Sequence, residues 1–158
     1  MNRIMFIVWL RFRPWHRHKT NFFFTHVLRI RYAEVDAQGI VFNSHYLTYF
    51  DCAITEYYRK IKYNYILDVK KNKKDFHVIK TTIDYKKPIL FDQLIDICIK
   101  VSKIGRSSLI YDIAIYPNKK KELLAYGQII QVYTDQVTNK STELSKNLIR
   151  KIKVFEKI

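Results

Sequence analysis

Apolar and polar residues follow two different rhythms along this chain, and the change of rhythm divides it into elements. From residue 45 to 62, Leu47, Phe50, Ala53, Ile54, Tyr57, Tyr58 and Ile61 recur at intervals of three and four, the repeat of one helix face. Asp51, Arg59, Lys60 and Lys62 take much of the other side, so the segment predicts a long amphipathic helix. Asn43 or Ser44 is its expected N-cap, because either side chain can accept from amides that the first turn leaves unpaired. Elsewhere the period is two, and strands are predicted over residues 22–31, 78–85, 94–104, 108–116 and 123–134. Gly105-Arg106-Ser107 and Pro117-Asn118-Lys119 read as turns, Pro88 as a break, residues 70–75 as a charged loop, and 145–156 as a short terminal helix.

One long helix among about five turn-linked strands points to an α+β architecture in which a bent antiparallel sheet wraps around the helix. The 158 residues, 48% of them apolar, suit one domain with a sizeable core. Residues 1–20 share no pattern with the rest of the chain and are expected to be a basic, poorly ordered extension, with the domain proper at 21–158. The apolar run from Ile4 to Leu10 is too short to span a bilayer, and arginines stand where a signal peptide requires small residues. An Arg-rich organellar leader and a start codon placed too early are both open readings of that segment.

Composition narrows the classes. Three glycines and three prolines exclude collagen-like and disordered chains. The net charge of +15 invites a nucleic-acid reading, yet seven basic residues precede the first acid, Glu34, and no helix-turn-helix, zinc or RNP-type pattern occurs. A solvated basic surface is the plain reading, and a site for a phosphorylated ligand the functional one; no nucleic-acid partner and no transmembrane segment are expected. Cys52 and Cys98 both lie in apolar-patterned stretches, and neither they nor the five histidines have metal-ligand spacing. They are expected to be buried, reduced thiols of a cytoplasmic protein that holds no metal.

Candidate chemistry gathers between Arg31 and Tyr46. Asp36 stands three residues before Gly39, a short apolar run leads to Phe42, and Asn43-Ser44-His45 opens the helix. A carboxylate, a glycine-permitted turn and the amide-rich start of a helix are a sensible way to meet one polarised carbonyl. The ordinary alternative for Asp36 is a turn aspartate bonded to local amides. Gly39 would supply a positive φ or a close backbone approach. Tyr46 and Phe50 read as core or pocket lining, His45 as a helix-start residue, and Glu56 as the partner of Arg59 and Lys60.

The run D-A-Q-G-I-V-F-N-S-H-Y-L-x-Y-F-D-x-A-x-T-E-Y, from Asp36 to Tyr57, resembles the hotdog-fold acyl-CoA thioesterases. It is most similar to the 4-hydroxybenzoyl-CoA thioesterase family, including its Tol–Pal-associated short-chain acyl-CoA branch. The similarity covers roughly residues 25–137 and includes a Y-x-x-P-x-x-x-D stretch at Tyr85, Pro88 and Asp92. The resemblance implies the hotdog fold and a hydrolase of acyl-CoA that needs no cofactor beyond the coenzyme A of its substrate. It implies Asp36 as nucleophile or general base, the Asn43 amide as carbonyl donor, and an acyl group lying against Phe42, Tyr46 and Phe50 beside Gly39. Arg106 and Ser107 match a turn near the coenzyme A phosphates. It further implies a homodimer or homotetramer with active sites at the subunit seam. One departure stands out: the Tol–Pal-associated branch has a catalytic histidine where this chain has Asn43, which leaves acid–base chemistry to Asp36. Acyl carrier protein as the thioester carrier, and a non-catalytic acyl-CoA binder, are the alternative readings.

Overall fold

A computed structural model of the chain describes residues 19–158. The expected basic extension therefore lies outside the described residues except for Lys19 and Thr20. Lys19 is already part of the domain, since its ammonium pairs with the buried carboxylate of Asp96.

The elements are β1 (Phe24–Arg29), α1 (His45–Lys60), α2 (Tyr65–Asn72), β2 (Lys74–Tyr85), β3 (Leu94–Ile104), β4 (Ser108–Pro117), β5 (Ala125–Asp135), β6 (Lys140–Ser141) and α3 (Lys146–Glu156). Five strands form an antiparallel sheet in the order β1-β3-β4-β5-β2, and the two-residue β6 adds to β5. This is the hotdog arrangement, in which the sheet curls about the long helix α1. Register shifts at Val78/Lys80 and Val101/Lys103 introduce extra residues, the usual device for bending a strand.

The core follows from the period-two strands and the helix stripe. Tyr46, Tyr49, Phe50, Ala53, Ile54, Tyr57 and Tyr58 form the buried side of α1. Against them lie Ile95, Ile97, Ile99, Leu109, Ile113, Ile115 and Ile129 from the sheet, all essentially inaccessible. Gly127 is required where the Phe50 ring presses on β5. A Cβ there would stand 2.6 Å from that ring and 2.4 Å from the Thr82 carbonyl oxygen. The helix α3 closes the far side through Leu148, Ile152 and Glu156, whose buried carboxylate accepts from the Tyr57 hydroxyl (2.6 Å) and the Val101 amide (2.9 Å).

Two local expectations need correction. The charged segment 70–75 is not a loop: α2 runs to Asn72 and β2 starts at Lys74, with Lys73 alone between them at φ 54°. Asn64 stabilises that helix by accepting from the Leu67 amide at 2.9 Å. The second concerns the start of α1. Ser44 sits at the N-cap but is already helical in its backbone (φ −67°, ψ −26°) and makes no side-chain cap bond.

Candidate active site

The segment between β1 and α1 is a small hairpin held to the sheet by its backbone. Val35 bridges Val41, the Asp36 amide donates to the Ile40 carbonyl (2.9 Å), and Phe42 donates to the Glu34 carbonyl (2.9 Å). Ile40 bridges Leu90, and Val41 donates to Ile89 (2.8 Å), which fastens the hairpin beside the β2–β3 connection. At its tip Gly39 has φ +74° and donates to the Asp36 carbonyl at 2.9 Å. A Cβ on Gly39 would meet nothing within 4 Å. Of the two expected roles, the left-handed backbone is therefore the one it serves.

Asp36 is half-buried, and its Oδ1 accepts from the Gln38 amide at 2.8 Å. That is the turn role expected of an Asp before Gly. It engages one carboxylate oxygen and leaves the other without a hydrogen bond among the described residues. Behind the hairpin, the carboxylate of Glu34 is buried. It accepts from the Arg31 backbone amide (2.8 Å), Nε (2.9 Å) and Nη2 (2.6 Å). Burial alone would raise its pKa, but the hydrogen bonds and charge of Arg31 hold it below the usual range. Tyr49 of α1 stands against this pair with its hydroxyl buried and without a hydrogen bond of normal geometry. Burial first, and then the Glu34 charge, push its proton affinity up, so it stays a neutral phenol.

The helix begins with a tight turn in place of a side-chain cap. His45 donates to the Phe42 carbonyl (3.0 Å), Tyr46 to Asn43 (3.4 Å) and Leu47 to Ser44 (3.2 Å). The Asn43 and Ser44 amides find no acceptor among the described residues. They are free donors at the positive end of the α1 dipole. Tyr85, from the end of β2, donates its hydroxyl to the Asn43 carbonyl at 3.4 Å and packs edge-on against Tyr46, 4.8 Å between centroids. Asp36 and the unpaired amides thus sit on one hairpin–helix junction, a carboxylate beside two N–H donors.

The other predicted residues separate into three groups. Phe42 is half exposed beside this junction, whereas Tyr46 and Phe50 are buried in the core, facing the sheet. His45 stacks on Tyr49 at 6.5 Å and stays a helix-start residue. Glu56 pairs with Arg59. Arg106 and Ser107 lie at the opposite end of β3. The Arg29↔Leu94 register places the Asp36 hairpin at one end of that strand, and its eleven residues span about 35 Å. One protomer does not bring them together. Arg31, Glu34, Tyr49 and Tyr85 are support residues that sequence reasoning missed, although the Arg31–Glu34 spacing of three is a visible signal.

Comparison with known proteins agrees with this fold. The thioesterase superfamily profile matches residues 38–124, starting just past Asp36. The acyl-CoA thioester hydrolase YbgC of Escherichia coli O6:H1 is 25% identical over 126 residues, covering 80% of this chain and 92% of that protein. Among solved structures, the 1,4-dihydroxy-2-naphthoyl-CoA thioesterase of Synechocystis superposes with a TM-score of 0.77. It is 16% identical, with 82% of this chain and 94% of that one covered. A Thermus thermophilus thioesterase, solved in complex with coenzyme A and zinc, superposes at 0.75 with 22% identity, covering 87% and 97%. With its curled sheet, its central helix and a family match over more than half its length, this chain belongs to the thioesterase superfamily.

Proposed function

We propose that the protein hydrolyses acyl-CoA thioesters at the junction of the Asp36 hairpin and α1. The observation that carries this reading is the pairing of a half-committed carboxylate with unpartnered Asn43 and Ser44 amides. In the proposed reaction Asp36 takes a proton from water as its oxygen adds to the thioester carbon, or adds its own oxygen and is freed by a later water. The carbonyl oxygen gains charge and is met by the helix-start amides. In the general-base route the C–S bond then breaks and the proton held by Asp36 passes to the departing thiolate. In the nucleophilic route the thiolate leaves as a mixed anhydride forms on Asp36, and the water that hydrolyses the anhydride gives its oxygen to the acyl carbon and a proton to the thiolate. Asn43 replaces the histidine of the related branch and is a poor proton carrier, so in the general-base route Asp36 does both transfers.

Phe42 offers the exposed wall for the acyl group. Arg106 and Ser107 remain the candidates for the coenzyme A phosphates, contributed by a second protomer because their own hairpin is a sheet-length away. A reducing, cytoplasmic setting suits the free thiols, of which Cys98 is buried as expected while Cys52 is exposed on the solvent side of α1, a correction to the sequence reading. Acyl carrier protein is the second candidate carrier. It is favoured by a basic face in which Lys60, Lys62, Arg150 and Lys151 surround Val154 and Phe155.

The test is free-thiol release across acyl-CoA chain lengths, beside the same acyl groups on acyl carrier protein. Turnover that is lost in Asp36→Asn supports the proposal. Tight acyl-CoA binding without thiol release would overturn it in favour of a non-catalytic binder.

A further inference from the structure

The helix α3 turns Leu148, Ile152 and Glu156 into the protein, and the charge it leaves outside is of one sign. Lys146, Arg150, Lys153 and Lys157 are exposed along its outer side, with Lys151 half-buried beside them. Glu156, the helix's one acid, is 1% exposed. Among the cations Val154 stands out at 75% exposure, and Ile158 follows at 62%. Lys60 and Lys62, from the end of α1, extend the basic surface. With Arg150 and Lys151 they rim a groove of about 380 Å³ whose apolar lining is Ile61, Val154 and Phe155.

Elsewhere acids answer the basic residues: Arg29 pairs with Asp92, Arg31 with Glu34, Arg59 with Glu56 and Lys87 with Glu122. No lysine or arginine of the α3 face pairs with a carboxylate among the described residues. Clustered like charges repel one another until a partner of opposite sign approaches. The chemistry here suits a lipid layer more closely than a protein. A protein partner is held in register by a pattern of both signs, and this face presents cations alone. Lysine and arginine stems reach headgroup phosphates while protruding apolar side chains enter the boundary beneath them. An anionic phospholipid offers that charge and that apolar layer together.

We propose that the outer face of α3, with Lys60 and Lys62, docks the protein onto an anionic phospholipid bilayer. The face stays clear of any pairing through β2. Glu156 ties α3 to Val101 of β3, and β3 lies three strands from β2 in the sheet. It is also distinct from the hydrolytic junction, which stands at the other end of the sixteen-residue α1, about 24 Å away. This is the face offered above to acyl carrier protein, so the two occupants exclude each other there.

Flotation of the full-length protein with vesicles tests this. At about 0.1 M salt it should bind phosphatidylcholine vesicles that contain about 30% phosphatidylserine, and leave pure phosphatidylcholine unbound. The combined variant Lys146→Gln, Arg150→Gln, Lys151→Gln is expected to lower vesicle affinity about 10²-fold. A second variant, Lys119→Gln, Lys120→Gln, Lys121→Gln, removes the same charge from the β4–β5 connection, at the other end of β3. It should stay within about two-fold of the parent. Circular dichroism of both variants verifies the fold. Asp36→Asn should float like the parent, which separates docking from hydrolysis. Equal losses in the two triple variants would overturn the proposal, because net charge and not this face would then drive binding. Absence of binding to the phosphatidylserine vesicles would overturn it as well; acyl carrier protein that binds the parent and not the α3 variant would then be the occupant.

Discussion

At the level of single residues, the junction depends on groups that are individually ordinary. Asp36 is a turn aspartate by its hydrogen bond to Gln38, and its second oxygen and the free amides nearby are what the proposed reaction uses. Replacing it by Asn keeps an acceptor for the Gln38 amide, so the hairpin should persist while thiol release falls by about 10²-fold or more; circular dichroism and a thiol assay on the same sample check both halves. Gly39 is different, because its φ of +74° is disfavoured for any residue with a Cβ even though the space is open. Gly39→Ala should cost about 1 kcal/mol in denaturant unfolding. Glu34 links the hairpin to pH. Its folded pKa lies below its unfolded value, so Arg31–Glu34 contributes stability above the unfolded pKa, and this is lost as pH falls through the folded one. An acid titration of Glu34→Gln should lack that part of the slope.

Among the elements, the dependence on pH reverses at α3. Burial raises the Glu156 carboxyl more than its bonds to Tyr57 and Val101 lower it. The folded state therefore holds that proton longer than the unfolded chain, and stability falls as pH rises from the unfolded to the folded pKa. Because both bonds end on Oε1, Glu156→Gln can keep them without burying a charge. Unfolding midpoints measured across that window should fall less steeply with pH in the variant than in the parent. The same element scale explains what was legible in the chain. Strand β3 matches residues 94–104 at both ends because apolar and polar residues alternate over most of its length and Gly105 opens a turn after it. Helix α2 was hidden, since it buries no residue fully and so has no apolar stripe to read; its cap at Asn64 was the available signal. The N-cap of α1 misled for a related reason: the hairpin's own ladder sets the helix direction, and a side-chain cap is unnecessary. Asp36, Gly39 and Asn43 were readable as a motif. Of their supports, Tyr49 stands within the same run on α1 and carries no sign of its role there, whereas Tyr85 comes from β2 and meets the motif only once the sheet has curled.

For the whole molecule, the proposed site raises one question, since Asp36 and Arg106 stand at opposite ends of the sheet. Among the described residues β2 is an edge strand bonded to β5 alone, and it exposes Val78 (51%) and Ile79 (63%). An edge with unpaired backbone groups and exposed apolar side chains suits pairing with a second copy. Antiparallel pairing across that edge would set the Asp36 end of one protomer beside the Arg106 end of the other. Ile79→Lys should shift sedimentation toward monomer and lose turnover in step, with the fold retained because the side chain is solvent-facing already. The sharper measurement mixes two inactive proteins. Asp36→Asn and Arg106→Glu are each expected to be poor hydrolases, the first lacking its carboxylate and the second repelling phosphate. After unfolding and refolding together in equal amounts, half the dimers should be mixed. Each mixed dimer then has one site built wholly from intact residues, so activity should return to roughly a quarter of the parent level. If each site instead drew both residues from one chain, every site in the mixture would carry a lesion, and no activity would return.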